Sequence, residues 1–404
     1  MSGNRYTFCM KVAIVHDWLT NYGGAETIVE LWLKLYPEAH LYTLIYDKKK
    51  MRGHFEGVPI FTSYLQRFPF ATKLYTKLLK FMPRAFESFD LSGYDVVLCS
   101  SSSCAKGVIV PSHIPHIAYI HTPMRYAWDL YFDYQKRSGF LTRLFMGLWM
   151  PALRTWDYIS AQRIDAVVAN SAYIARRIKK FWNRDATVIY PPVNRRRFFA
   201  SEHPHHEDFY VAFSRLVPYK RVDLAISAIR GTGRKLVVIG GGSEAKKLRR
   251  LAAGDPNITF TGSIDDEALR SYLQQCRALI FCAEEDFGLT PLETQTCGRP
   301  VIAFGRGGAC ETVIDTVTGV LFPEQSVQSV QDAIARFEAL DAQHTFSPEK
   351  IIAHAREFSE ERFCAEFAAV VAQTKKERAR EQYGVHEAPA TVKALDTSEA
   401  NRYN

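Results

Sequence analysis

The chain has 404 residues, 47% of them hydrophobic and 23% charged, with a formal net charge of +8 at pH 7. That length accommodates two domains with separate cores, and the charged fraction is that of an ordinary soluble protein. No stretch approaches the roughly 20 consecutive apolar residues that span a bilayer. The modest charge gives no reason to expect nucleic acid as a partner. The cysteines, at positions 9, 99, 104, 276, 282, 297, 310 and 364, include no C-x-x-C pair and read as reduced thiols, not as a disulfide frame or a zinc site.

Residues 1–9 precede a second possible start at Met10 and read as a disposable extension. Lys11–Val15 is then the first buried strand, too short for the core of a signal peptide. The turn Thr20–Glu26 contains Gly23 and Gly24, adjacent glycines that let a backbone approach a ligand without β-carbon clashes. A helical stretch, Ala25–Lys34, follows, and strands are expected at Ala39–Leu44, Val96–Cys99, Ile117–His121 and Val167–Ala169. This alternation predicts a parallel sheet covered by helices. Two segments inside it, Tyr64–Phe86 and Gln135–Trp156, interleave cations with aromatics. They suit either an anionic membrane surface or packing into the N-terminal core.

A proline turn, Tyr190–Asn194, and a polar stretch, His203–Glu207, separate this half from the next. The histidines there lack the spacing and partners of a metal site and read as a solvated hinge. The second set of strands is expected at Tyr210–Phe213, Lys235–Ile239, Ile258–Phe260, Ala278–Cys282 and Val301–Phe304. Ser359–Lys376 reads as a long amphipathic helix, and the last twenty or so residues as a disordered tail. The fold class is therefore α/β, with an N-terminal domain over 1–194, a second over 195–354, a terminal helix over 355–380 and a tail over 381–404.

Glu284–Glu293 carries the most chemistry. It follows an apolar strand and opens a helix, where Thr290, Pro291 and Glu293 are expected to form an N-cap, a first-turn proline and the acid of a capping box. The free amides of Leu289 and Thr290 at such a helix start favour a phosphate. A competing motif, Gly240-Gly241-Gly242-Ser243-Glu244-Ala245, fits the G-x-G-x-x-A turn of dinucleotide dehydrogenases, but the next strand, Ile258–Phe260, is followed by Thr261 and Gly262, not by the ribose-binding acid that fold requires.

Glu285, Phe287, Gly288, Pro291 and Glu293, with Cys297–Ala303 and Gly307–Glu311, resemble the Glu-x7-Glu signature of family 4 glycosyltransferases. Those are retaining enzymes of the GT-B fold, two Rossmann-like domains facing each other across a cleft. The resemblance runs from Val12 to about Val371. It implies that Glu285 lies by the donor sugar, that Glu293 binds the ribose hydroxyls, and that Gly288, Leu289 and Thr290 hold the diphosphate, faced across the cleft by Gly23 and Gly24. Phe213–Asp223 is a second match, in which Arg215 and Lys220 reach the diphosphate. His121, at the end of a strand, falls near the donor sugar, and Asp17, Arg125, Gly240 and Ser263 are further candidates in neighbouring loops. The terminal helix is expected to cross back to the first domain.

The segments His16–Glu26 and His121–Tyr126 look most like bacterial mannosyltransferases of O-antigen and exopolysaccharide assembly. The resemblance thus implies a nucleotide-sugar donor, GDP-mannose before a UDP- or dTDP-sugar, and a lipid-linked oligosaccharide acceptor. It also implies transfer with no metal or other cofactor and a cytoplasmic site on the inner face of the membrane. An epimerase or hydrolase using the same cleft, or a non-catalytic sugar-nucleotide sensor, are the other readings. Oligomeric state is not legible in the sequence.

Overall fold

The computed structural model describes residues 10–202 and 206–383. The extension at 1–9, part of the expected hinge at 203–205 and the tail from 384 lie outside the described residues. The first domain is a seven-stranded sheet, with strands β1 (Val12–His16), β2 (His40–Thr43), β3 (Ile60–Thr62), β4 (Val96–Ser101), β5 (His116–Ile120), β6 (Ala166–Ala169) and β7 (Thr187–Val188). Their spatial order is β3-β2-β1-β4-β5-β6-β7, parallel throughout. The second domain holds β8 (Phe209–Phe213), β9 (Lys235–Ile239), β10 (Ile258–Gly262), β11 (Ala278–Phe281), β12 (Val301–Phe304) and β13 (Gly319–Phe322), in the order β10-β9-β8-β11-β12-β13. Both orders reverse beside the first strand of the sheet, which in such sheets opens a crevice at the carboxyl ends of the strands.

Continuous apolar strands follow from this topology, because helices cover both faces of each sheet. β1, β4 and β5 are buried at every residue. Three strands escape the sequence reading for physical reasons. β3 and β7 are edge strands of three and two residues. β13 opens on Gly319, where a β-carbon would stand 1.9 Å from the carbonyl oxygen of Val301, so its first residue carries no apolar signal.

The helix Glu360–Tyr383 lies against the first domain. Phe363, Phe367 and Val371 enter the core beneath β1 and β4, and Phe367 stacks on Trp32 at 4.6 Å between ring centroids. Aromatic burial of this kind fastens this helix to the first domain.

The two basic aromatic segments meet on one surface. Tyr64–Phe86 is a series of short helical turns, interrupted where Phe70 takes a left-handed conformation (φ 56°). Gln135–Trp156 lies mostly in the helix Phe140–Gln162. Lys80 places its ammonium 3.5 Å from the centre of the Trp149 ring and so joins the two. Met82, Phe86, Met146, Met150 and Leu153 face inward, while Phe70 (71% exposed), Phe81, Phe140 (79%) and Leu148 face out. Packing into the N-terminal core thus accounts for one side of these segments, and the other side is exposed.

Candidate active site

β11 runs into the loop 282–288 and then the helix Leu289–Thr296. The capping box expected here does not form. Gly288 is the N-cap, in a left-handed conformation (φ 95°) and without a side-chain cap, so Thr290 and Pro291 stand inside the first turn. A glycine is needed there because other residues pay strain at positive φ. Glu293 is consequently released from capping. Its carboxyl group is pushed up to about 7 by burial, with Asp266 adding to the rise and Arg197 and Lys220 opposing it. As at any helix start, the amides of Leu289 and Thr290 have no acceptor within their own helix.

Lys220 ends the short turn Pro218–Lys220 and contacts the carboxylate of Glu285 directly. Burial, together with the guanidinium groups of Arg215 and Arg125, lowers the Lys220 ammonium to about 7, with Asp286 and Glu293 opposing the shift. Arg215, exposed, donates to the Tyr219 hydroxyl at 3.0 Å, and Arg125 lies 5.6 Å from the centre of the same ring. Three cations thus converge where the site would hold a diphosphate.

The glycines after β9 support this cluster. A β-carbon at Gly240 would lie 2.0 Å from the carbonyl oxygen of Ser214, and one at Gly242 would lie 2.3 Å from that of Leu216. Only glycine permits this approach, which holds the Arg215 loop against the β9 turn; Ser263 Oγ stands 3.0 Å from the place of a β-carbon on Gly241. The G-x-G pattern therefore has a packing cause here.

Across the cleft, Gly23 caps the helix Gly24–Leu35. A β-carbon on Gly24 would stand 2.8 Å from Leu289 Cδ1, so the two phosphate-binding elements anticipated from sequence face each other. His121 follows β5, and its Nε2 lies 2.8 Å from Ser100 Oγ. The same hydroxyl is 3.0 Å from His16 Nδ1, and His16 Nε2 lies 3.4 Å from Glu26 Oε1. Burial, with His16 adding to it, lowers His121 to about 3 and keeps it neutral. Asp17 has another occupation: its carboxylate accepts five hydrogen bonds, from the amides of Ser102, Ser103, Cys104 and Ala105 and from the Ser102 hydroxyl. It organises the loop after β4.

Several cleft residues escape the sequence reading. Asp286 accepts from Arg125 Nη2 at 2.7 Å and from Arg177 Nη1 at 3.0 Å. Glu311 accepts from the amides of Ala172 and Tyr173 at 2.7 and 2.8 Å, capping a helix of the other domain. Arg177 belongs to the amphipathic helix Ala172–Trp182, where a cation reads as solvated surface, yet it is buried. Asp266 pairs with Arg197 at 2.6 Å. Asp265, before it, caps its own helix by accepting from the Ala268 amide at 2.9 Å. Among the described residues no group of three or more His, Cys, Asp or Glu is placed to hold a metal ion.

Two family models match the chain, Glycosyltransferase Family 4 over residues 22–197 and Glycosyl transferases group 1 over residues 193–358. A GDP-mannose-dependent alpha-(1-6)-phosphatidylinositol monomannoside mannosyltransferase of Mycobacterium tuberculosis is 34% identical over 157 residues, 35% of this chain and 40% of that protein. O-antigen chain mannosyltransferase C of Escherichia coli is 27% identical over 194 residues, 42% of this chain and 50% of that one. The chain thus spans half or less of the length of these relatives. Anabaena Alr3699/HepE, solved in complex with UDP and glucose, has a TM-score of 0.67 at 19% identity, covering 90% of this chain and 99% of that one. That likeness is one of fold. With one model falling on each domain and Gly24 packed on Leu289 between them, the chain belongs to the family 4 glycosyltransferases and has the GT-B fold.

Proposed function

We propose that this protein is a retaining glycosyltransferase that moves mannose from GDP-mannose to a lipid-linked oligosaccharide. The observation that carries the reading is the convergence of Lys220, Glu285 and Glu293 at the start of the Leu289–Thr296 helix, opposite Gly24. Glu293 accepts hydrogen bonds from the ribose hydroxyls, each carboxylate oxygen taking one. The amides of Leu289 and Thr290, with Arg215 and Lys220, hold the diphosphate, and Glu285 lies beside the donor sugar with His121 opposite.

In the reaction the bond from the anomeric carbon to the diphosphate oxygen breaks, and a bond to the acceptor oxygen forms on the same face of the sugar. The acceptor proton passes to the departing diphosphate, so no further base is required. Fixed cations at that leaving group stabilise charge that exists only as the bond breaks. They supply the charge compensation a metal would otherwise give. The mannose and GDP assignments draw on the names of the Mycobacterium and Escherichia relatives.

No helix of the described residues is long and apolar enough to cross a membrane. The surface joined by Lys80 and Trp149 supports a peripheral site on an anionic cytoplasmic leaflet, with exposed phenylalanines at headgroup level and lysines on lipid phosphate. Purified protein incubated with GDP-, UDP- and dTDP-sugars, with and without a membrane extract, tests the whole reading. Mannose incorporation from GDP-mannose only with extract is expected. Donor turnover without an acceptor would indicate a hydrolase or epimerase, and binding without turnover a sensor.

A further inference from the structure

Asp286 is the residue through which the two domains hold each other beside Glu285. Its carboxylate receives Arg125 and Arg177 of the first domain, and its carbonyl oxygen accepts from Ser171 Oγ at 2.5 Å. Arg177 also donates from Nη1 to Thr122 Oγ1 at 2.7 Å and pairs with Asp129. Thr122 follows His121, and Asp286 follows Glu285. A single guanidinium therefore links the neighbours of His121 and Glu285, one residue from each domain.

The surroundings make this link exacting. Arg177 is 7% exposed and Asp286 has a side chain 20% exposed, so the pair is shielded from the screening that weakens surface ion pairs. A buried guanidinium that lost its carboxylate would be costly to leave in place. Glu284 and Glu311 add weaker ties: Glu284 accepts from the Tyr173 hydroxyl at 2.9 Å, and Glu311 caps the helix that bears Arg177. Both acids flanking Glu285 thus reach across the cleft, while Glu285 stays with Lys220.

We propose that the Arg177–Asp286 bridge is a positioning device that closes the two domains and fixes Glu285 against His121, and that donor binding alone does not require it. This rests on the glycosyl-transfer reading, but closure itself is measurable without turnover. Misplacing a reacting group by about 1 Å commonly costs about 100-fold in rate, which sets the scale of the expected effect.

The test is Asp286→Asn, nearly isosteric and without the charge, compared with wild type in three measurements. At a pH well below the Lys220 value of about 7, where the ammonium is charged in both proteins, GDP affinity is expected to change by less than about twofold while kcat falls by about 100-fold, and small-angle scattering of the GDP complex should give a larger radius of gyration. Asp286→Glu, which restores the carboxylate, should recover part of both closure and kcat. An unchanged radius of gyration in Asp286→Asn overturns the proposal whether or not mannose transfer is ever detected. So does wild-type kcat, or a loss of GDP affinity as large as the loss of rate. Should Asp286→Asn melt before assay temperature, Arg177→Lys, which keeps the cation but shortens the reach to Asp286, must open the complex in the same direction.

Discussion

A β-carbon on Gly24 would sit 2.8 Å from Leu289 Cδ1, which makes the first turn of the N-terminal domain and the helix start of the second domain a matched pair across the cleft. The atom in the way is the end of a flexible side chain, so Gly24→Ala should fold, and alanine even favours the helix that starts there by up to about 1 kcal/mol. The cost appears in donor binding, because the Leu289 side chain must turn away from Gly24 and take up space at the helix start that faces the cleft. Donor affinity is expected to fall while the melting temperature holds. The double variant Gly24→Ala/Leu289→Ala should recover part of the loss, with a coupling of about 1 kcal/mol in the binding cycle. Additive losses would leave the two elements energetically independent.

Lys220 and Arg215 are expected to act on the leaving group. Replacing either by methionine should lower kcat by about 100-fold or more with a smaller change in donor dissociation constant, the pattern of a contact that strengthens as charge develops. A rise confined to KM would make them docking groups only.

Lys220 near 7 also gives the donor site a pH dependence. A diphosphate beside the ammonium favours its charged form, so its folded value rises on binding and a proton is taken up close to neutral pH. Calorimetry in buffers of different ionisation enthalpy should register that uptake, and donor affinity should decline as pH rises above about 7. Binding of ribose hydroxyls to Glu293 favours its carboxylate and releases a proton, so the uptake should be larger in Glu293→Gln than in wild type. Buffer-independent heats in that variant would count against a titrating Lys220.

Glu293 itself carries a stability signature. Its folded value is raised from 4.5 to about 7, so the native state keeps a proton that the unfolded state gives up, and the stability this contributes fades as pH climbs between those values. Glu293→Gln has no such loss. Its melting temperature relative to wild type is expected to increase from pH 5 to pH 8, together with weakened nucleotide binding. A constant difference across that range would mean that the carboxyl group is not desolvated in the fold.

Glu285→Gln should abolish transfer without unfolding the chain, because the residue lies on a loop and leaves no core cavity. Circular dichroism and turnover together decide this, and near-normal turnover would remove Glu285 from the reaction.

On the basic face, Lys73, Lys77, Lys80 and Arg84 are all exposed. Their replacement by glutamate should eliminate binding to anionic vesicles at low salt, since each cation near such a surface contributes about 1 kcal/mol. Tyr75 is not expected to matter for lipid contact: it packs on Trp18 at 5.1 Å. Equal vesicle binding by wild type and the four-glutamate variant would reduce the surface to ordinary packing.

The sequence by itself determined the two parallel sheets, because apolar runs such as Val12–Val15 and Leu279–Phe281 have no stable place except between layers of helices. It also singled out Glu285, Glu293, Lys220 and the Gly23-Gly24 turn, which the fold brings to one cleft, since turns at strand ends are local in the chain. Tertiary structure alone decided the occupation of Asp17, the failure of the capping box at Thr290 and the role of Arg177. Asp17 meets amides 85 to 88 residues away, and Arg177 meets Asp286 across 109 residues. Local spacing is blind to such contacts. A carboxylate or guanidinium reads the same in sequence whether water or a distant partner satisfies it, and only the packed fold, by excluding water, makes the distant partner necessary.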